Sequence, residues 1–437
     1  MKILVLNSGS SSQKACLYEI GETLPEHPPA CLWEGRIEWS GDTAATVVKN
    51  YKGFVQKDQL TVSSRELVVR DLLSTSWSGK AGVISSASEI DAVGHRVVHG
   101  GPHFEDPVAI TPEVRAEISS VSAFAPLHIQ AELEGVKIVE NLLGAVPQIA
   151  VFDTGFHRQM PLSAAVYPGP YEWFKNGIRR YGFHGINHQY CTERAAQMLG
   201  RDKESLKLVT CHLGNGCSVA AVKGGRSVDT TMGFTPLDGL MMGTRSGAVD
   251  PGILTFLMRQ GRMDAQQIDK VLNQESGLLG ISGLSADMRE ILAAIQQGDE
   301  RAKLAFDIYV HRLRVAIGGM AAVLGGMDAL VFTAGVGENS SDVRAAACVN
   351  LEFLGLGIDD QANKLPTLDA DISTAGSRVR VLVIRAEEDW AIARECWKLA
   401  QAAASRPSRK VAGQVGAREA PAGQGGGPTS QEEGVEV

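Results

Sequence analysis

Several groups of residues in this chain are of types and spacings that handle phosphate. The run Asn7-Ser8-Gly9-Ser10-Ser11-Ser12-Gln13-Lys14 follows an apolar stretch, 3–6, and precedes another, 15–18. A small-residue turn between two strands lets backbone N–H groups close on an anion, while serine hydroxyls and a lysine add donors and charge. Serine and glycine also build ordinary hairpin turns. No Gly-x-x-x-x-Gly-Lys-Ser/Thr loop occurs in the chain, so the device is strand–turn–strand rather than strand–loop–helix. The plan returns some two hundred residues later, where Leu208-Val209-Thr210-Cys211 runs into His212-Leu213-Gly214-Asn215-Gly216 and back through Cys217-Ser218.

Charged and titratable candidates accompany the turns. Arg96 lies in Gly94-His95-Arg96-Val97-Val98-His99-Gly100-Gly101, and Arg245 in Met241-Met242-Gly243-Thr244-Arg245-Ser246-Gly247. Both sit in apolar, glycine-bounded surroundings, where an arginine needs an anionic partner. That partner is a structural carboxylate or a ligand; two such arginines beside phosphate-type turns favour the ligand. His128, His184 and His212 occupy similar settings, as hydrogen-bonded core residues or as phosphate-binding and acid–base groups. Asp153 ends the apolar run 148–152, a position suited to a metal or a nucleophile in an α/β fold. Glu387, Glu388 and Asp389 precede the last helical segment, where they favour the helix N-terminus or hold a magnesium ion.

These residues need elements to position them. Apolar runs bounded by turn residues predict strands near 34–39, 46–49, 90–99, 148–152, 206–210, 218–223, 329–333 and 378–384. Helical periodicity marks 64–73, 112–121, 129–143, 187–199, 264–272, 286–296, 301–324 and 388–403. Two blocks of mixed strand and helix, each opened by a hairpin, imply a duplicated α/β architecture with both hairpins facing one cleft. Beyond Ser405 the chain is rich in Gly, Pro, Ala, Gln and Glu and nearly lacks large apolar residues, the composition of a disordered tail.

The bulk numbers narrow the class. A length of 437 residues predicts two or three domains, and 44% apolar with 21% charged residues is ordinary for a soluble protein. A net charge of −8 disfavours nucleic acid as a partner. Seven scattered cysteines without a Cys-x-x-Cys pair suit reduced thiols in the cytoplasm. The uncharged stretch 315–327 is too short and glycine-rich to span a membrane.

In their order and wording these motifs resemble those of the acetokinase family. The resemblance also takes in Ala125-Pro126-Leu127-His128, Phe152-Asp153-Thr154, Arg180-Tyr181-Gly182-Phe183-His184-Gly185, Met232-Gly233-Phe234-Thr235-Pro236-Leu237, Ser282-Gly283-Leu284-Ser285 and Gly335-Val336-Gly337-Glu338-Asn339, and it covers residues 1 to about 403. It implies an actin-like fold of two ribonuclease-H-like domains. The first, 1–153, would be completed by helix 390–404. The second, 154–389, would bind nucleotide and form a homodimer.

The resemblance further implies reversible phosphorylation of acetate by ATP, giving acetyl phosphate and ADP, with Mg²⁺ (or Mn²⁺) as cofactor. Arg96 would bind the acetate carboxylate, assisted by His128. Val98, Leu127, Phe183 and Pro236 would surround its methyl group. Asp153, His184 and Arg245 would be catalytic, with Asn7 and Glu388 at the metal. Asn7, Ser10, Ser12, Lys14 and residues His212, Leu213, Gly214, Asn215 and Gly216 would line the phosphates. Asp287, Met288, Arg289, Gly335, Val336, Gly337, Glu338 and Asn339 would hold the adenosine.

The chain departs from the usual family pattern at Ile186-Asn187 (commonly Thr-Ser), Ala248 (acidic), Ile129-Gln130 (Asn-Pro) and Arg385-Ala386-Glu387-Glu388-Asp389 (Pro-Thr-Asn-Glu-Glu). Keeping the flanking residues in register puts Glu388 rather than Glu387 at the metal. Propionate phosphorylation is the neighbouring alternative. An Hsp70/actin-like ATPase without an acyl substrate is the alternative from another class.

Overall fold

A computed structural model describes residues 1–9, 12–364 and 369–405. Ser10 and, apart from Ser405 itself, the expected tail 405–437 therefore lie outside the described residues.

Two sheets organise the chain. The first contains β1 (Lys2–Ser8), β2 (Ser12–Glu19), β3 (Trp33–Ser40), β4 (Thr43–Asn50), β5 (Val55–Thr61), β6 (Ala92–Val97), β7 (Val108–Ala109) and β8 (Gln148–Phe152), in the order β5-β4-β3-β2-β1-β6-β8-β7. The second contains β9 (Lys207–Leu213), β10 (Cys217–Lys223), β11 (Arg226–Thr230), β12 (Ala329–Thr333), β13 (Ala370–Asp371) and β14 (Arg380–Val383), in the order β11-β10-β9-β12-β14-β13.

The sheets repeat one plan. In each, three antiparallel strands (β1–β3; β9–β11) are followed across the sheet by two parallel ones (β6, β8; β12, β14). A short antiparallel strand then flanks the last of them, β7 on β8 and β13 on β14. This is the duplicated ribonuclease-H-like α/β fold. It extends the hairpin echo to whole sheets.

Each long helix that follows a repeat crosses to cover a sheet. In the C-terminal helix Glu388–Ser405, Ile392 and Cys396 press on β6 at Gly94. A Cβ added at Gly94 would stand 2.6 Å and 2.7 Å from their side chains, so only glycine allows this approach. The helix Gly185–Leu199 places Ile186, Cys191 and Ala195 in a cluster that also holds Ile3 and Val5 of β1, Leu208 of β9 and Ile392. This apolar cluster thus joins the two sheets and leaves a cleft at their strand ends.

Some elements differ from expectation. β5 shows no apolar alternation and all its residues are exposed; its backbone pairing with β4 holds it in place. Residues 335–339, which follow the expected strand 329–333, lie in the helix Ala334–Asn339. The helix Pro251–Arg259 was not anticipated. None of its residues is fully buried and only Leu254 and Leu257 are half-buried, so its apolar face finds little cover within a single chain.

Candidate active site

Arg96 is the second-last residue of β6, and Asp153 follows β8, the strand paired beside it. Parallel pairing aligns the strand ends and brings the two side chains together. Arg96 Nη2 donates to Asp153 Oδ2 at 2.7 Å. The structural partner that the sequence left open for Arg96 is therefore a candidate site residue itself. Burial alone would lower the Arg96 guanidinium, but the carboxylates of Asp153, Glu388 and Glu132 outweigh it and hold it above its ordinary value. Arg96 Nε and Asp153 Oδ1 are buried and have no partner among the described residues, so both still face a group to bind.

Asp153 also fixes His184. Its Oδ2 accepts from the His184 backbone N–H at 3.2 Å, and its carbonyl accepts from Gly185 N–H at 2.8 Å. These bonds hold His184 at φ 57°, a left-handed conformation that costs a non-glycine residue about 1–3 kcal/mol. A Cβ on Gly185 would overlap the Asp153 carbonyl oxygen, so the glycine is required there. The His184 ring is placed by side chains that sequence reading did not single out. Its Nδ1 bonds Ser218 Oγ at 2.9 Å. Ser218 Oγ also bonds His188 Nε2 at 2.7 Å, and His188 Nδ1 bonds Thr210 Oγ1 at 2.7 Å.

His184 stacks on His212, ring centroids 3.9 Å apart. Burial, followed by His212, His188 and the two site arginines, holds its pKa well below the ordinary value, so the ring is neutral at physiological pH. Asn187 donates its amide to His212 Nδ1 at 2.8 Å. By that bond the His212 proton sits on Nε2. The unusual Ile186-Asn187 pair is thus accommodated: Ile186 enters the core and Asn187 orients His212.

Arg245 reaches the same spot from the second sheet's side. Its Nη1 donates to the Pro236 carbonyl at 3.0 Å, and no ion pair to a carboxylate forms at Arg245 among the described residues. Burial, with Arg96 nearby, pulls its guanidinium below the ordinary value. A Cβ built on Gly216 would stand 3.3 Å from His184 Nε2 and 3.5 Å from Arg245 Nη1, so the two donors flank one point on the second hairpin.

Glu388 approaches from the C-terminal helix. It accepts from Asn7 Nδ2 at 3.4 Å and lies 4.0 Å from His212 Nδ1. Burial, reinforced by Asp153 and Asp389 against the pull of Arg96, pushes its carboxyl to about 7. Glu387 turns aside to Arg385. Lys14 pairs with Asp389 at 2.6 Å. A cavity of about 390 Å³ joins Asn7, Ser12, Lys14, Arg96, His128, His184, His212 and Glu388. A neighbouring one of about 680 Å³ is lined by Gly214, Asn215, Asp287, Met288, Arg289, Gly335, Val336 and Asn339.

Other expected residues fall elsewhere. Leu213 is buried in the core, and Gly337 packs on Phe332 and Cys211. Glu338 accepts from Ala386 N–H at 2.8 Å, away from the cavity. Val98 and Phe183 are buried in the core and do not line the cavity beside Arg96 and His184. The Leu127 side chain lies outside what is described.

The family model for the acetokinase family matches residues 2–394. The chain belongs to the acetokinase family. It is 59% identical to an acetate kinase of Gloeobacter violaceus, over 91% of this chain and 99% of that one, and 56% identical to one of Cyanothece sp. over 92% and 99%. Among solved structures it is similar to an acetate kinase of Porphyromonas gingivalis, with a TM-score of 0.84 and 42% identity over 91% and 99% of the two chains. A propionate kinase of Francisella tularensis gives a TM-score of 0.82 and 38% identity over 90% and 98%. The acetokinase family thus spans the described core almost from end to end.

Proposed function

We propose that this acetokinase-family chain transfers the γ-phosphoryl group of ATP reversibly to acetate. The observation that carries the reading is Arg245: a largely buried guanidinium with no carboxylate partner among the described residues, flanking one point with the neutral His184. Such a pair of donors suits the equatorial oxygens of a phosphoryl group in transfer, where positioning and charge stabilisation supply most of the catalysis. In this reading an acetate oxygen attacks the γ-phosphorus, the bond to the β–γ bridging oxygen breaks, and ADP leaves. Acetate is already ionised near neutral pH, so no general base is required.

Arg96 would bind the acetate carboxylate through its remaining donors, with His128 beside it. Of the four residues expected around the methyl group, Pro236, whose carbonyl accepts from Arg245, would bound it, while Val98 and Phe183 are buried in the core. The adenosine would occupy the larger cavity between Asp287–Arg289 and Gly335–Asn339, with the phosphates running past Gly214–Gly216 to Asn7, Ser12 and Lys14. The unpartnered buried Asp153 Oδ1, the raised Glu388 carboxyl and the Asn7 amide form an oxygen donor set that fits Mg²⁺ or Mn²⁺. When bound there, the ion would neutralise phosphate charge.

Residues 1–153 with 390–404 would form one unit and 154–389 the other. The helix Pro251–Arg259, with no residue fully buried and Ile253, Phe256 and Met258 exposed, supports a homodimer formed through the second unit. All seven cysteines are free thiols, which supports a cytoplasmic setting. No described helix is long and apolar enough to cross a membrane.

The test is acetate-dependent acetyl phosphate formation, trapped as the hydroxamate, with ATP and Mg²⁺. Arg245→Ala should lower kcat by about 10²–10³-fold while nucleotide affinity stays nearly unchanged. ATP turnover indifferent to acetate would point instead to an ATPase without an acyl substrate. Comparing kcat/KM for acetate and propionate fixes the acyl preference, because one methylene is worth only about 1–3 kcal/mol in such a pocket.

A further inference from the structure

Behind the phosphate hairpin lies a second cluster of metal-ligating atoms that phosphoryl transfer does not use. Cys16 stands two residues after Lys14 on β2, so the two share a face of the sheet. Its partner across the ladder on β3 is Glu34, and the chain entering β3 brings Cys31 alongside. The two sulfurs and a Glu34 carboxylate oxygen all lie within 4.8 Å of one another. Asp389, in the first turn of the C-terminal helix, adjoins the group through Cys16: its Oδ2 accepts from Cys16 Sγ at 3.6 Å and pairs with Lys14 Nζ at 2.6 Å.

Two thiols and a carboxylate, drawn from β2, the approach to β3 and β3 itself, supply three ligands of a tetrahedral site, and Asp389 would supply the fourth by turning from Lys14 to the ion. Sulfur donors select thiophilic ions and discriminate against Mg²⁺. Glu34 also lines the cavity that holds Lys14 and Glu388, so an ion has a path from the cleft.

We propose that Cys16, Cys31, Glu34 and Asp389 form a binding site for a thiophilic divalent cation of the zinc class, and that its occupation inhibits the enzyme by taking Asp389 from Lys14. On binding, each thiol releases its proton to solvent as its metal–sulfur bond forms, and no electron is transferred. Lys14, freed from its carboxylate, is displaced from its present place on the hairpin, and Asp389 is drawn away from its neighbour Glu388. The inhibitory half rests on the kinase reading above; the binding half does not.

The experiment uses the full chain, reduced and then freed of reductant, in Mg²⁺ buffer. Titration with Cd²⁺ is read by the ultraviolet thiolate-to-cadmium charge-transfer band, and titration with Zn²⁺ by acetate-dependent turnover. The wild type should show a band that saturates at one equivalent and a matching loss of activity with Zn²⁺. Cys31→Ser should keep its basal activity, lose most of the band and resist Zn²⁺. Its Cd²⁺ affinity should fall by at least the about 10–100-fold typical of losing a supporting partner. Glu34→Gln should weaken Cd²⁺ binding while keeping the band, since both sulfurs remain.

A wild type without a saturable band overturns the site, as does an unchanged band in Cys31→Ser. Two thiols that stay unreactive until reductant is added would make the pair a disulfide and overturn it equally. If Zn²⁺ inhibits Cys31→Ser as strongly as the wild type, the coupling to Lys14 is overturned. Absence of acetate-dependent turnover in the presence of a normal band would overturn the kinase reading and leave the site standing.

Discussion

Which nitrogen carries the proton decides what His184 can offer an anion. Its neutral ring donates toward the cleft only if Nδ1 is the acceptor. The Thr210–His188–Ser218–His184 series allows that arrangement: Thr210 hydroxyl to His188 Nδ1, His188 Nε2–H to Ser218, Ser218 hydroxyl to His184 Nδ1, leaving Nε2–H free beside Gly216. Ser218→Ala removes the hydroxyl that biases this tautomer. The expected result is a fall in kcat of about tenfold, in line with about 1–1.5 kcal/mol for a hydrogen bond, with KM for ATP little changed. Ser218→Thr should recover part of the loss. Steady-state kinetics on the two variants check it, and a KM effect in place of a kcat effect would assign Ser218 to binding instead. Nothing in the sequence marks Ser218: it is one serine in an apolar strand, and its importance arises only from the register that sets it opposite His212.

At the scale of elements, the helix Pro126–Leu143 is held against β6 partly by a buried acid. Glu132, 2% exposed, accepts the Val98 N–H at 3.0 Å through Oε1, while Oε2 has no partner among the described residues. Burial pushes its carboxyl up to about 8 against the opposing pull of Arg96. The folded state therefore keeps a proton that the unfolded chain releases near its ordinary value of 4.5. This group's stabilising contribution is complete below that value, falls as pH rises, and is lost above about 8. Glu132→Gln keeps an acceptor for Val98 and has nothing to titrate. Denaturant unfolding between pH 5 and pH 8 should show wild-type stability falling relative to the variant by roughly 1 kcal/mol per pH unit across the window. Parallel curves would mean that Glu132 is ionised in the fold. The parallel strands and long helices here were legible because burial imposes a period on their residues. β5 and the helix Pro251–Arg259 were not, because the one is fixed by backbone pairing and the other is covered little by its own chain. The site divides the same way: Arg96, Asp153, His184 and Arg245 stand in glycine-bounded motifs. The groups around them, Ser218 and His188 behind His184, Asn187 on His212 and Glu132 on the Val98 N–H, are common residues whose roles come from register.

For the whole molecule, the repeated sheets and the two helices that join them explain why the reacting groups come from distant parts of the chain. Arg96 and Asp153 belong to the first repeat, His212, Gly216 and Arg245 to the second, and Glu388 to the helix that returns to the first. A cleft of this kind works only if the rest of the second unit is held firm, and its exposed apolar surface bears on that. The helix Pro251–Arg259 presents Ile253 at 48%, Phe256 at 53% and Met258 at 50% exposure, with no residue buried. An unburied amphipathic helix gains little from its own chain and calls for a partner surface, and a two-fold dimer supplies one by matching the same patch to itself. Phe256→Glu should break such a pairing, since it places two like charges in an apolar contact. The expected outcome is a halved mass by light scattering, a lower melting temperature that no longer depends on protein concentration, and reduced kcat with the hydroxamate chemistry intact. A wild type that already runs as a monomer at micromolar concentration, or a variant that stays dimeric, would remove this helix from the interface and leave its apolar face without an occupant.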